Sequence, residues 1–227
     1  MRFNPDLLTS ILGIFLTLSL GACTTVESSS KPINSSTATP VSSETILSQN
    51  HSMMSGNHGM MMDLGPADVE YDLRFIDAMI PHHQGAINMA QQVLQKSTRP
   101  EVKKLAEDII KAQEKEIAQM QQWRKTWYPQ AKDAIAYHAA MGHSMPMSSQ
   151  QMDSMMMMAD LGAADSGFDQ RFFTAMIPHH QGALIMAKDA QTKSKRSEIQ
   201  QLAQAILTSQ EAEIKLMQQW LNQGLKK

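Results

Sequence analysis

One nonapeptide occurs twice in this chain. Ala78-Met79-Ile80-Pro81-His82-His83-Gln84-Gly85-Ala86 returns as Ala175-Met176-Ile177-Pro178-His179-His180-Gln181-Gly182-Ala183, 97 residues further on. The register holds well beyond the motif: residues 68–124 align with 165–221 without a gap, and 30 of the 57 positions are identical. Such a chain must build the same supersecondary unit twice and find a way to pack the two copies. The identities fall on His, Met, Gln and Glu as well as on core positions, so the repeat carries a chemistry along with a shape.

Each unit reads as an αα-hairpin. At about 100° per residue, Asp72, Phe75, Met79, His82, His83, Ala86, Met89, Ala90 and Val93 fall in one stripe. Arg74 and Gln84 fall outside it. Asp68 is the expected cap, and Pro81 is expected to kink the helix. Residues 96–100 form the turn, with Pro100 suited to the first position of the next helix. That helix runs from about Glu101 to Trp127, with Val102, Leu105, Ala106, Ile109, Gln113, Glu116, Ile117, Met120 and Trp123 on one face. The second copy predicts helices over about 165–193 and 197–224. A hairpin with one apolar face needs a partner, so the expected fold class is all-α: two repeated hairpins forming a four-helix bundle with an approximate two-fold axis. The partner is either the other hairpin of the same chain, giving a monomer, or a hairpin of a second chain, giving a homodimer.

The flanking segments have other roles. Residues 1–22 read as a signal peptide, with Arg2 before the apolar run Leu7 to Leu20, too short to span as a mature helix. Leu20-Gly21-Ala22-Cys23 looks like a lipobox, which makes Cys23 the lipid attachment site; an ordinary secretory signal with an incidental Cys is the other reading. Both place the mature protein in the periplasm or cell envelope, and the membrane is touched through the lipid anchor only. Residues 23–50, rich in Ser, Thr and Pro, read as a disordered tether. Residues 51–65 form a first Met/His-rich segment, 66–128 the first hairpin, 129–162 a linker with a short helix over 130–140 and a second Met/His-rich segment, and 163–227 the second hairpin. The two Met/His-rich segments are expected to be flexible. With a net charge of −2, nothing favours nucleic acid, and Cys23 alone allows no disulfide within the chain.

Methionine is the outlier of the composition, with 20 residues against 6 Phe, 3 Trp and 3 Tyr. Its thioether is a soft, neutral ligand suited to Cu(I) and Ag(I), while imidazole takes Cu(I) or Cu(II). Candidate ligands in the first segment are His51, Met53, Met54, His58, Met60, Met61 and Met62. In the linker they are His138, Met141, His143, Met145, Met147, Met152, Met155, Met156, Met157 and Met158. In the hairpins they are Met79, His82, His83, Met89, Glu116 and Met120, and their counterparts Met176, His179, His180, Met186, Glu213 and Met217. Adjacent His residues diverge on a helix, so one ion does not take both rings of a pair. The alternative for these rings is structural: core imidazoles hydrogen-bonded to Glu116 or Asp72 that fix the register of the bundle.

Met79-Ile80-x-His82-His83-x-x-Ala86-x-x-Met89-Ala90, followed by Gln113-x-x-Glu116-Ile117-x-x-Met120, resembles the signature of domain-of-unknown-function family 305, and does so twice. The resemblance implies a helical, ferritin-like fold and export from a bacterial cytoplasm. The layout of lipobox, Met/His-rich segments and duplicated hairpin is similar to that of periplasmic copper-binding members, which implies copper binding and protection from excess copper. The expected function is sequestration or transfer of Cu(I) and Cu(II), without catalysis, with Ag(I) as a surrogate and a copper exporter or periplasmic copper acceptor as a possible partner. Two rivals stand beside it. One is a cuprous or ferrous oxidase using the bundle interior, although neither hairpin contains the Glu-x-x-His of di-iron bundles. The other is a structural envelope protein that binds no metal.

Overall fold

The computed structural model describes residues 62–223, in which the repeat becomes two antiparallel helical hairpins joined by a folded linker. The elements are α1 (Tyr71–Lys96), α2 (Pro100–Trp127), β1 (Ile135–His138), β2 (His143–Pro146), α3 (Ser149–Met156), α4 (Phe168–Lys193) and α5 (Ser197–Asn222). The signal peptide, Cys23 and the tether lie outside the described residues. Among the described residues no helix is long and apolar enough to cross a membrane.

Within each hairpin the turn is built alike. Ser97 Oγ accepts the Arg99 N–H at 3.2 Å, and Ser194 Oγ accepts that of Arg196 at 3.1 Å. Pro100 then opens α2 at a position whose N–H has no partner inside the helix. Helix α1 continues through Pro81. It begins at Tyr71, so Asp68 does not cap it. Asp68 instead accepts the Glu70 N–H at 2.9 Å in the turn just before.

The two hairpins pack on each other within one chain, α1 against α4. Equivalent contacts at the two ends mark the approximate two-fold axis. Lys193 Nζ donates to the Gly65 carbonyl at 2.7 Å, and Lys96 Nζ to the Gly162 carbonyl at 2.8 Å. Arg196 faces Asp72 at 3.4 Å, and Arg99 faces Asp169 at 3.6 Å. The apolar interior is accordingly divided in two. One core joins Phe75, Ile76 and Met79 to Ala187, Ile199 and Ile206; the other joins Met89, Val93 and Ile109 to Phe172, Phe173 and Met176.

The linker departs from expectation. Residues 135–138, expected to be helical, form β1, which pairs antiparallel with β2 through Ile135–Pro146 and His138–His143. The second Met/His-rich segment, expected to be flexible, supplies β2 and α3, and Ser148 caps α3 in a reciprocal capping box with Gln151. The helical period misled over 130–140 because so short a stretch, with alternating small and aromatic residues, carries either pattern.

This linker lies over α1 and buries residues that periodicity placed outward. Arg74 is fully buried. It donates to the Leu64 carbonyl at 2.6 Å, to the Pro66 carbonyl at 2.7 Å and to Ser144 Oγ at 2.9 Å, and pairs with Asp68 at 2.9 Å. Its counterpart Arg171 makes the same clamp, to the Leu161 and Ala163 carbonyls at 2.7 Å, but without a linker above it the side chain stays 40% exposed. Asp77 and Arg124 anchor the linker itself. Arg124 pairs with Asp77 at 2.6 Å and donates to the Ala131 and Asp133 carbonyls, while Asp77 accepts the Ile135 N–H at 3.0 Å.

Arg74→Ala strands buried carbonyls and is expected to lower the unfolding free energy by about 3 kcal/mol. Arg171→Ala removes a solvated clamp, with an expected loss of about 1 kcal/mol or less. Urea unfolding of the two variants checks the difference, and equal losses would contradict the burial described.

Candidate metal centre

Between the two apolar cores lies a polar layer. His82 and His83 come from α1, His179 and His180 from α4, and all four are buried. The rings run across the bundle in a row. His83 and His82 have centroids 6.5 Å apart, His82 and His179 3.9 Å, and His179 and His180 6.2 Å. The inner pair joins the two hairpins at the two-fold axis. The closest ring partner of His82 comes from the other repeat.

The outer rings are held by carboxylates. His83 Nε2 lies 2.7 Å from Glu116, and His180 Nε2 2.6 Å from Glu213, each glutamate belonging to the second helix of the same hairpin. With Nε2–H donating, Nδ1 carries the lone pair, and in both rings it has no partner. Glu116 is 14% exposed and lines an open groove of about 470 Å³ with Asp108, Lys115 and Gln201. The hydrogen-bonded core His is therefore the observed state of His83 and His180.

The inner rings are different. His179 Nε2 donates to the Met156 carbonyl at the end of α3, at 3.2 Å, which leaves Nδ1 unpartnered. Neither nitrogen of His82 makes a hydrogen bond of normal geometry, its one polar contact being a weak approach to the His179 backbone. Of the nine buried side-chain N and O atoms without a hydrogen bond among the described residues, five are on the four imidazoles of this layer. Burial first, and neighbouring imidazoles second, hold the His82 ring well below its ordinary value of 6.5 and the His179 ring at about 3. Both are thus neutral at neutral pH, the form that offers a lone pair.

The ends of both Met-rich segments reach this layer. A side chain at Gly182 would begin 3.1 Å from His82 Nε2, 3.1 Å from the Met62 methyl and 3.6 Å from Met157 Sδ. A side chain at Gly85 would collide with the Met156 carbonyl. Both glycines leave room for close approach. Their part in the site was missed from sequence, where the only signal was their presence in the repeated nonapeptide.

The other sequence candidates divide by environment. Met79, Met89, Met120, Met176, Met186 and Met217 are buried in the two apolar cores. Met62 and Met155 are buried beside the first core, with Met147 and Met157 packed against it. Met145, Met152 and Met156 are half-buried, and Met141 and Met158 are exposed. His138 and His143 stand opposite each other in the β-ladder, and His143 Nδ1 lies 3.1 Å from the Met141 carbonyl. His51, Met53, Met54, His58, Met60 and Met61 lie outside the described residues. Among the described residues no three or more His, Cys, Asp or Glu side chains are arranged to hold one ion. A di-iron carboxylate centre therefore has no support there, whereas a site completed by thioethers is of another kind.

Comparison with known proteins agrees with this architecture. The family model described as "Domain of unknown function (DUF305)" matches residues 72–221, and the chain belongs to that family. Among solved structures it is similar to CopM in its Cu(II)-bound form, at 42% identity over 67% of this chain and 96% of that one, with a TM-score of 0.54. CopM in its Cu(I)-bound form matches at 39% identity over 67% and 96%, with a TM-score of 0.52. A DUF305 fragment from Deinococcus radiodurans matches at 28% identity over 70% and 99%, with a TM-score of 0.54. A curated relative, uncharacterized protein L153 of Acanthamoeba polyphaga mimivirus, is 41% identical over 49 residues, 22% of this chain and 32% of its own length.

The neutral inner imidazoles give stability a defined pH dependence. In the unfolded chain they titrate near 6.5, so below that value the unfolded state binds more protons than the folded one. Stability of the metal-free protein is expected to fall progressively as the pH drops from about 6.5 toward 3. Urea midpoints at pH 7.5 and 5 check this, and a flat profile between them would contradict the burial of the pair.

Proposed function

We propose that this protein is an extracytoplasmic copper-binding protein that sequesters or hands on Cu(I) and Cu(II) and so protects the cell from excess copper. The observation that carries the reading is the meeting of unpartnered, buried imidazoles with thioethers from both Met-rich segments. That donor set suits soft ions and offers nothing to hard ones. The similar structures of CopM with Cu(II), Cu(I) and Ag bound support the same choice of metal.

Under this reading the bundle is a scaffold, and the Met/His-rich segments before each hairpin provide capacity. Exposed donors such as Met141, Met158 and His143 meet the ion first. A signal peptide ending before Cys23 and a lipid anchor on that residue would hold the protein at the envelope. A copper exporter or periplasmic acceptor would be the exchange partner. The role is binding and release, with no turnover.

Titration of the purified protein with Cu(I) against a competing chelator is expected to show several bound ions; binding no tighter than that of free methionine would end the reading. Replacing the Met residues of 53–62 and 141–158 by Leu is expected to remove most of that capacity and leave the far-ultraviolet helical signal in place. Unchanged capacity in that variant would assign the metal elsewhere.

A further inference from the structure

The stretches that lead into the two hairpins are counterparts under the repeat: residues 148–162 precede the second, and residues 51–65 the first. The later stretch runs antiparallel along α1, and its contacts form a ladder. Lys96 Nζ donates to the Gly162 carbonyl at 2.8 Å, Gln92 Nε2 to the Ala159 carbonyl at 3.3 Å, and Asn88 Nδ2 to Met158 Sδ at 3.2 Å. A Cβ at Gly85 would meet the Met156 carbonyl, and Ala78 lines a small cavity together with Met155.

The first rungs of the same ladder stand on α4. Lys193 Nζ donates to the Gly65 carbonyl at 2.7 Å. Asp63 accepts the Gly65 N–H at 2.9 Å, as Asp160 accepts that of Gly162. The buried Met62 side chain then lies against α4, its methyl 3.1 Å from the point where a Cβ at Gly182 would stand. The face of α4 that continues toward its N-terminus is open. Gln170, Thr174, Pro178, Gln181 and Ile185 are exposed, whereas their counterparts on α1 are buried or half-buried.

We infer that residues 51–61, which precede the described ones, dock as a strap along this open face of α4, in the register that the linker keeps on α1. Met61 then comes to Ile185, Gly59 to Gly182 and His58 to Ala175, as Met158 comes to Asn88, Met156 to Gly85 and Met155 to Ala78. The Met156 carbonyl accepts from His179 Nε2 at 3.2 Å; the equivalent acceptor is the Gly59 carbonyl, and the equivalent donor is His82 Nε2, 3.1 Å from the Cβ point of Gly182.

The two surfaces match in chemistry. Between Arg171 and Lys188, α4 carries no Asp, Glu, Lys or Arg, and residues 51–62 carry none either. Docking therefore takes no carboxylate, ammonium or guanidinium out of water. Methionine adapts to an irregular apolar face, and Met60 and Met61 repeat Met157 and Met158. Met62 already fixes one end of the segment on α4, so the strap meets its face at a high effective concentration, which a second copy of the chain does not have. The far end is held less firmly than the linker. Asp77, which binds the Ile135 N–H, and its partner Arg124 are Thr174 and Leu221 on this side. The first Met/His-rich segment thus rests on the bundle before any metal arrives. The inference is independent of the copper-binding reading.

The test uses two cysteine pairs in the full chain carrying Cys23→Ser, with a metal chelator present. One joins His58→Cys to Ala175→Cys, the other His58→Cys to Lys188→Cys. Residue 58 is four residues from Met62 and reaches about 14 Å at most. Ala175 and Lys188 lie about 10 Å and about 9 Å from Gly182 along α4, in opposite directions. A free arm reaches both, and a docked strap only the first. Equilibrium with glutathione gives the effective concentration of each pair without regard to thiol access. The 58–175 pair is expected to exceed the 58–188 pair at least about 10-fold, within one chain. Ile185→Lys, which puts a charge on the face, is expected to narrow that ratio. If Ala175→Cys fails to fold, the exposed neighbour Thr174→Cys takes its place. A ratio near one, or reversed, overturns the strap. A disulfide that forms mainly between chains at low micromolar protein also overturns it and gives the face to a second copy. Because no metal enters the measurement, either failure leaves the proposed function standing.

Discussion

His83 and His180 each give a ring N–H to a glutamate on the antiparallel helix of their own hairpin, and the arrangement of the molecule follows from that pair of bonds. Each bond fixes how far α1 slides along α2, or α4 along α5. It also fixes the rotation of the helix that carries the ring. Since adjacent residues point about 100° apart, holding His83 and His180 toward their own hairpins turns His82 and His179 toward each other. The contact between repeats is thus set by hydrogen bonds within each repeat. The same pattern appears on both sides of the axis because the Gln113-x-x-Glu116 and Gln210-x-x-Glu213 spacings are the same.

The two halves are not equal in their surroundings, and the departures from the repeat record why. Asp77 and Arg124 have Thr174 and Leu221 as counterparts. The first pair holds the linker against α1; Thr174 is exposed, as is Pro178, whereas Pro81 is buried. Leu73 on the covered face corresponds to Gln170 on the open one. Positions shared by the copies thus serve the hairpin and the polar layer, and positions that differ serve the one segment that only the first hairpin carries. This is also why Arg74, outward by periodicity, is buried: the linker comes from far along the chain, and a helical wheel counts only the helix.

Much of the scaffold was legible because it is written at two levels that agree. Period and punctuation gave four long helices, with Pro100 at a helix start, and the repeat gave the axis. The two apolar cores needed no more than the stripes already visible in each hairpin. The site was legible only in its ingredients. His and Met could be named as soft donors, but the meeting of His82 with His179 depends on which helices adjoin, and the approach of Met62 and Met157 to Gly182 depends on where two segments end. Neither is a local property. The strand at Ile135–His138 was misread for a related reason: a four-residue strand takes its identity from its partner, here His143–Pro146, and four residues carry too little periodicity to announce it.

A layer of unsatisfied nitrogens across the middle of a bundle is a weakness unless the layers beside it compensate. In this chain they do so on both sides. Met79, Phe75 and Ile206 flank it at one end, and Met89, Phe172 and Ile109 at the other, all fully buried. Each such side chain contributes about 1.5–3 kcal/mol by leaving water, enough for a few residues per core to offset the unpaired atoms of the layer. The methionines among them have a second property. An unbranched thioether adapts to irregular space, so the cores tolerate small movements of α1 against α4 that a close-packed Leu or Ile core would resist. The polar layer thus lies between two adaptable cores, its inner rings meeting at a tilt across the axis while the outer glutamates keep the register of each hairpin.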